Sequence, residues 1–363
     1  MAVYAVLGGG NGGQCLAAFL KAKGAEVRLW ARSAALVQQL AQMGNKISLS
    51  GTQNITSKID LVTTDLGPAT LDADIVFVVL PANAHQDLAR KLSQFIKPEH
   101  LLVLCPGRTA GALEFFSTFH HQGITRDLMP LIVEMQTLFC ACRAVEPGFV
   151  KVISMKKKNT FATLPNNRKE EAVAALSGVF ENITASDSTL NTSLDNMGAI
   201  LHPAPVLLNA GCIETRQFFF AHYYQAISPT VACFLEKMDA ERISVASAYG
   251  IQAISVKKWH EENYGLIGSN LFETLQMNSA YAALDAPHSL NHRYIHEDVP
   301  TGLVPISELG KAAGIETPFI DTVIDLSEML LGKEYRKEGR NLQNLGLNKK
   351  KPSDIASIFN KGI

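Results

Sequence analysis

The chain begins Met-Ala-Val-Tyr-Ala-Val-Leu and runs directly into Gly8-Gly9-Gly10-Asn11-Gly12-Gly13, followed by a helix-forming stretch over residues 14–23. This is a strand, a glycine turn and a helix, with Gly8, Gly10 and Gly13 in G-x-G-x-x-G spacing. Each glycine answers a steric demand. Gly8 permits the tight turn, Gly10 lets the backbone approach a pyrophosphate, and Gly13 lets the helix pack close to the strand. The unpaired N–H groups and positive dipole end of the helix then face the phosphates. A bare glycine pattern is weak evidence, but here the strand and helix that the motif requires flank it. The expectation is a dinucleotide-binding fold in which Gly8, Gly10, Asn11, Gly12 and Gly13 surround the phosphates.

The first half continues as alternating strands and helices. Residues 26–30 read as a second strand and residues 34–43 as a helix. Residues 75–80 and 101–104 are unbroken apolar runs, as expected for strands buried on both faces of a parallel sheet. Pro81 ends the first of them and Pro106-Gly107-Arg108 follows the second, so both loops lie on the edge that carries the glycine turn. In a doubly wound sheet that carboxyl edge binds the ligand, and Pro81 is expected to border the cofactor. Further strands are expected at residues 131–134, 150–155 and 160–164, the last two as an antiparallel addition around a turn at 156–159. Beyond residue 190 the pattern becomes helical, over residues 204–210, 232–249, 255–264, 271–283 and 317–331. The fold class expected is α/β plus all-α: a Rossmann-type doubly wound sheet over residues 1–185, then a helical substrate and catalytic domain over 186–363. A chain of 363 residues is long enough for two such cores.

With 47% hydrophobic residues, 18% charged residues and a net charge of −1, nothing draws the chain to nucleic acid. No stretch suits a bilayer span, and the first apolar run lacks the basic flank of a signal peptide. The six cysteines are scattered without zinc-ligand spacing, which fits free thiols in a reducing cytoplasm and assigns no metal.

The end of the second strand reads Trp30-Ala31-Arg32-Ser33. An acid there would hold the ribose hydroxyls of NAD. Arg32 would instead hold a 2′-phosphate, with Ser33 adding a hydrogen bond. NADP is therefore favoured over NAD.

Three clusters further on carry chemistry. His202 stands at the head of a helix beside Pro203 in apolar surroundings, a place for a structural cap or for a proton-exchanging group. Arg293-Tyr294-Ile295-His296-Glu297-Asp298-Val299-Pro300 mixes charges with proline and reads as a loop, because the residue before a Val-Pro pair sits poorly inside a helix. Asp298 on that loop would orient an imidazole, and Arg293 offers the planar fork that grips a carboxylate. An ion pair of Arg293 with Glu297 or Asp298 is the plainer alternative. Residues 134–143 follow a strand and supply Gln136 and the thiol of Cys142 as pocket-lining groups.

With these pieces the chain resembles the octopine/nopaline (opine) dehydrogenase family over essentially its full length. The resemblance rests on residues 8–13, Cys105-Pro106-Gly107-Arg108 with Gly111-Ala112-Leu113-Glu114-Phe115, residues 134–143, Leu201-His202-Pro203, and residues 293–305. It implies reductive condensation of an amino acid with an α-keto acid, often pyruvate, by NAD(P)H. By position it implies His202 as general acid/base, Asp298 as its partner and Arg293 as a carboxylate clamp, with Gln136 and Cys142 near the substrate. The partners implied are these small molecules, with neither nucleic acid nor membrane, and a homodimer is compatible with them. Two other readings stand beside this one. A C=O reductase of the glycerol-3-phosphate or ketopantoate reductase type would share only the first domain and would lean on a lysine that the three clusters lack. A non-catalytic dinucleotide sensor would have no reason to pair His202 with Asp298.

Overall fold

The computed structural model describes residues 1–215, 220–282 and 284–363. The chain divides into two compact units. One comprises Met1–Gly107, Gly111–Thr189 and Asn360–Gly362, the other Arg108–Ala110, Leu190–Phe359 and Ile363.

The strands of the first unit are, in chain order, β1 (Val3–Leu7), β2 (Glu26–Trp30), β3 (Lys46–Gly51), β4 (Ile55–Lys58), β5 (Leu61–Thr63), β6 (Ile75–Val78), β7 (Leu101–Leu104), β8 (Leu131–Met135), β9 (Cys140–Glu146), β10 (Phe149–Met155), β11 (Asn159–Leu164) and β12 (Ile183–Ala185). The main sheet runs β12-β11-β8-β7-β6-β1-β2-β5. From β8 to β5 the pairs are all parallel, and β11 joins β8 antiparallel. Every residue of β6, β7 and β8 is buried, which is why β6 and β7 read as continuous apolar runs, while β8 carries the buried Glu134. The chain lays β2 and β5 on one side of β1, then returns to place β6, β7 and β8 on the other. Strand order therefore reverses between β1 and β6, and Leu7 lies opposite both Trp30 and Val78 there. This is the switch point at which a doubly wound sheet opens its ligand crevice.

A second sheet runs β4-β3-β10-β9. It corrects the expectation that residues 150–155 and 160–164 pair with each other. β10 pairs with β9 antiparallel and with β3 in parallel, while β11 extends the main sheet. The reason is tertiary. Val150 and Val152 alternate with Lys151, giving one apolar face that packs into the core, whereas Phe161, Ala162, Thr163 and Leu164 are all buried. The first helix, α1 (Asn11–Ala22), is fastened to this layer by polar contacts: Ser57 Oγ donates to the Ala18 carbonyl at 2.8 Å, and Gly148 N–H to Gln14 Oε1 at 2.9 Å.

The second unit is helical, with an isolated β-bridge between Ala221 and Asp285 among the described residues. Its longest helix there, Pro229–Ala248, starts on the Ser228 cap with proline in its first turn. Val256–Tyr264 starts on the Ser255 cap and ends at Gly265, whose φ of +72° suits glycine. The run expected as one helix over 271–283 is a helix at Leu271–Gln276 and a short turn at Ser279–Tyr281, and Ala283 lies outside the described residues. The larger correction concerns residues 293–305. In place of a loop stand the helix Arg293–His296, a wide π turn at Val299–Leu303 and the helix Val304–Ala313. Pro300 and Pro305 each occupy the first turn of their piece, where a missing N–H leaves nothing unpaired. No described helix is long and apolar enough to cross a membrane.

Candidate functional site

In the first unit, the glycine turn leads from β1 into α1. Gly8 has φ +144°, and a Cβ there would lie 2.1 Å from the Val79 carbonyl oxygen. A Cβ on Gly13 would lie 1.7 Å from the carbonyl oxygen of Gly8, so the helix can approach the strand only at glycine. At Gly10 a Cβ would meet nothing within 4 Å. Gly10 is also the N-cap of α1 and provides no side-chain cap, and the first turn carries no acid. Open space above uncapped N–H groups is what a pyrophosphate requires. Asn11 and Gly12 form the first residues of α1, and Pro81 follows the carboxyl end of β6.

Arg32 is exposed and lines a cleft of about 470 Å³ with Trp30, Thr64, Asp65, Lys91 and Phe95. Trp30 is fixed there by its indole N–H, which donates to the Thr64 carbonyl at 2.8 Å. Ser33 caps the helix α2 (Ala34–Gln42), its Oγ accepting from Leu36 N–H, and its own hydroxyl proton remains available.

In the second unit, His202 stands at the joint between helices Met197–Leu201 and Pro203–Leu208. Asp298 follows Arg293–His296 and is fully buried. The two meet: His202 Nδ1 lies 2.8 Å from Asp298 Oδ2. Nε2 lies 3.0 Å from the hydroxyl of Tyr223, and the Tyr294 ring stacks on the imidazole with centroids 4.1 Å apart. Since the carboxylate only accepts, Nδ1 carries the proton and Nε2 accepts from Tyr223.

The charge of Asp298 is supported from its other side. Arg108 Nη2 lies 3.6 Å from Asp298 Oδ1, and Arg108 Nε donates to Glu297 Oε1 at 3.1 Å. Burial alone would raise the Asp298 carboxyl, but Arg108 and His202 hold it down to about 2. Burial would lower the Arg108 guanidinium, which Asp298 and Glu297 instead keep firmly protonated. Asn196 accepts from Arg108 Nη1 at 3.4 Å and caps the helix that leads to His202. A Cβ on Gly198 would fall 2.4 Å from Arg108 Nη1 and 3.0 Å from Asp298 Oδ1, so the close approach of that helix requires glycine.

Arg293 projects from its short helix with its side chain 54% exposed, 3.9 Å from Glu297 Oε2. The strong buried ion pair is thus made by Arg108, and Arg293 keeps most of its hydrogen-bonding capacity turned outward. Gln136 and Cys142 belong to the first unit, just beyond β8 and on β9 respectively. The sulfur of Cys142 turns toward Cys15 and Cys140, with all three sulfurs within 4.8 Å of one another.

The residues that sequence reasoning missed are Arg108, Tyr223 and Tyr294. Arg108 stood in a quoted motif and had a legible signal, a charged residue directly after Pro-Gly, but no partner in sequence to suggest its role. Tyr223 and Tyr294 carry no local signal, because aromatic residues beside histidines are ordinary helical core.

Residues 185–331 match the family model described as NAD/NADP octopine/nopaline dehydrogenase, alpha-helical domain. Residues 3–128 match the model of the NAD-dependent glycerol-3-phosphate dehydrogenase N-terminus. An opine dehydrogenase of Arthrobacter sp. (strain 1C) is 40% identical over 344 residues, covering 95% of both chains. Among solved structures, octopine dehydrogenase with NADH and L-arginine superposes with a TM-score of 0.81 at 21% identity, covering 98% of both chains. Yersinopine dehydrogenase with NADP+ bound has a TM-score of 0.76 at 15% identity, covering 99% of this chain and 98% of that one. At such identities the two structures establish likeness of fold.

Proposed function

This chain belongs to the opine dehydrogenase family and is an NAD(P)-dependent dehydrogenase, and we propose that it joins the amine of an amino acid to an α-keto acid, pyruvate foremost, and reduces the resulting imine to an N-carboxyalkyl amino acid. The observation that carries this reading is the buried pair of His202 Nδ1 and Asp298 Oδ2 at 2.8 Å, with Nε2 on the far side of the ring held by the Tyr223 hydroxyl at 3.0 Å.

In the condensation a C–N bond forms at the keto carbon and the carbonyl oxygen leaves as water. His202 Nε2 takes the protons that the nitrogen sheds and delivers them to the departing oxygen. Asp298 keeps Nδ1 protonated and stabilises the imidazolium that forms at each transfer. Arg108 holds Asp298 ionised, and Tyr223 occupies Nε2 until a substrate replaces its hydroxyl. The outward fork of Arg293 is the group suited to a substrate carboxylate. Cys142 is left out of the substrate set because its sulfur turns to other thiols.

The bound dinucleotide supplies the hydride. Gly8, Gly10, Asn11, Gly12 and Gly13 would hold its pyrophosphate, Arg32 and Ser33 its ribose end, and Pro81 would border it. An arginine where an acid would favour NAD supports NADP as the preferred form. Six free cysteines support a reducing, cytoplasmic setting.

The test is oxidation of NADPH and NADH by purified protein with pyruvate, oxaloacetate or 2-oxoglutarate, each with and without a panel of amino acids. Oxidation that requires both acids, with a secondary-amine dicarboxylate as product, is expected. Reduction of the keto acid alone at the same rate would replace this reading with a carbonyl reductase.

A further inference from the structure

The three thiols around β9 have no part in the chemistry above. Cys140 and Cys142 are two residues apart on one strand and share a face of the second sheet. That face meets α1, which brings Cys15 to within 3.6 Å of Cys140, sulfur to sulfur. All three sulfurs lie within 4.8 Å of one another. Cys15 and Cys140 are 1% and 3% exposed, while Cys142 is half-buried and gives the cluster an opening to solvent. Met155 pairs directly across from Cys140 and places a thioether on the same face.

From this juxtaposition we propose that Cys15, Cys140 and Cys142 form a binding site for one cuprous ion. The geometry is close to what three sulfurs around one ion need. With metal–sulfur bonds of about 2.3 Å, a trigonal site separates its sulfurs by about 4 Å, within the spread seen here. The donor set selects the ion. Among the described residues the cluster contains only sulfur, with no imidazole or carboxylate, and soft thiolates favour copper(I). Three protein ligands satisfy trigonal copper(I), whereas structural zinc takes four. Each coordinating thiol releases its proton to solvent, and no electron is transferred. The ion enters past Cys142. Cys15 follows Gly13 by two residues, so the bound ion ties the glycine-turn helix to the second sheet.

The experiment titrates fully reduced protein anaerobically with copper(I) held by bicinchoninate, a chromophoric competitor. The expected result is one copper(I) withdrawn per chain, with copper-edge absorption showing about three sulfur neighbours, and a raised Tm. Cys142→Ser should weaken binding by more than about 100-fold, beyond what loss of an outer partner costs a metal site, and should abolish the rise in Tm. Cys212→Ser and Cys233→Ser, at exposed thiols, should retain it. Should Cys140→Ser fail to fold, Cys142→Ser at the half-buried position decides the matter. Wild-type protein that withdraws no copper(I) overturns the proposal. So does copper(I) that survives Cys142→Ser and is lost with Cys212→Ser or Cys233→Ser.

Discussion

Asp298→Asn removes one buried charge and almost no volume, which makes it the sharpest test of the dyad. The carboxylate is fully buried and lies 2.8 Å from His202 Nδ1. When Nε2 takes a proton, the imidazolium and carboxylate form a pair of unit charges. At about 4 Å and an effective dielectric near 20, their attraction is about 4 kcal/mol. Losing it from the transition state should slow turnover by about 10³-fold. The asparagine amide can also donate to Nδ1 and hold the ring in the wrong tautomer, which acts in the same direction. Arg108 keeps its bond to Glu297 at 3.1 Å, so the cation beside the substitution retains a partner. The assay is initial rates of opine formation and opine oxidation, with NADPH affinity measured separately by its fluorescence. Turnover should fall while NADPH affinity holds, and adding His202→Ala should make matters little worse, because residues acting as a unit are not additive. Turnover within tenfold of wild type, or loss of NADPH affinity in step with turnover, would refute the reasoning.

Tyr223→Phe removes the hydroxyl 3.0 Å from His202 Nε2 but keeps the ring stacked on Tyr281 at 4.0 Å. Turnover should fall about tenfold, the worth of one buried hydrogen bond, with Tm nearly unchanged; full activity would remove Tyr223 from the proton path. Arg293→Ala should raise KM for one substrate by about 10- to 100-fold, matching about 1.4–2.7 kcal/mol for a charge-assisted contact, and an equal loss of cofactor affinity would argue against a clamp. Arg32→Asp should raise KM for NADPH far more than for NADH, and a wild type that prefers NADH would contradict the role given to Arg32. His222 is fully buried, and burial together with nearby His202 lowers its imidazole from 6.5 to about 3. The unfolded chain therefore takes a proton near pH 6.5 that the folded one refuses until about 3, so stability falls as pH drops through that window, by at most about 1.4 kcal/mol per pH unit. His222→Asn should flatten the decline in Tm between pH 7 and pH 4.5, and an unchanged slope would locate the acid sensitivity elsewhere.

The strand, glycine turn and helix at the start of the chain were legible because their demands are local. Strand, turn and helix follow one another in the chain; Gly13 is required by the Gly8 carbonyl of the same motif, and Gly8 by the Val79 carbonyl just past the adjacent strand. The buried strands β6 and β7 were equally legible, since burial on both faces leaves an unbroken apolar run. Helices at Pro229–Ala248 and Pro318–Leu331 declared themselves by their helical pattern. What pairs with what was decided by packing. β10 and β11 are neighbours in sequence, yet they belong to different sheets, because one has a single apolar face and the other is buried on both faces from Phe161 to Leu164. The prolines near residue 300 read as helix breakers, but their missing N–H groups fall where helical turns begin. His202 and Asp298 are 96 residues apart, Arg108 and Glu297 189, and Cys15 and Cys140 125. No spacing rule spans such distances. His202 and Asp298 could be named as candidates from the sequence, but the carboxylate on Nδ1, the arginine beside that carboxylate and the hydroxyl on Nε2 come together only when separate helices bury their faces against one another.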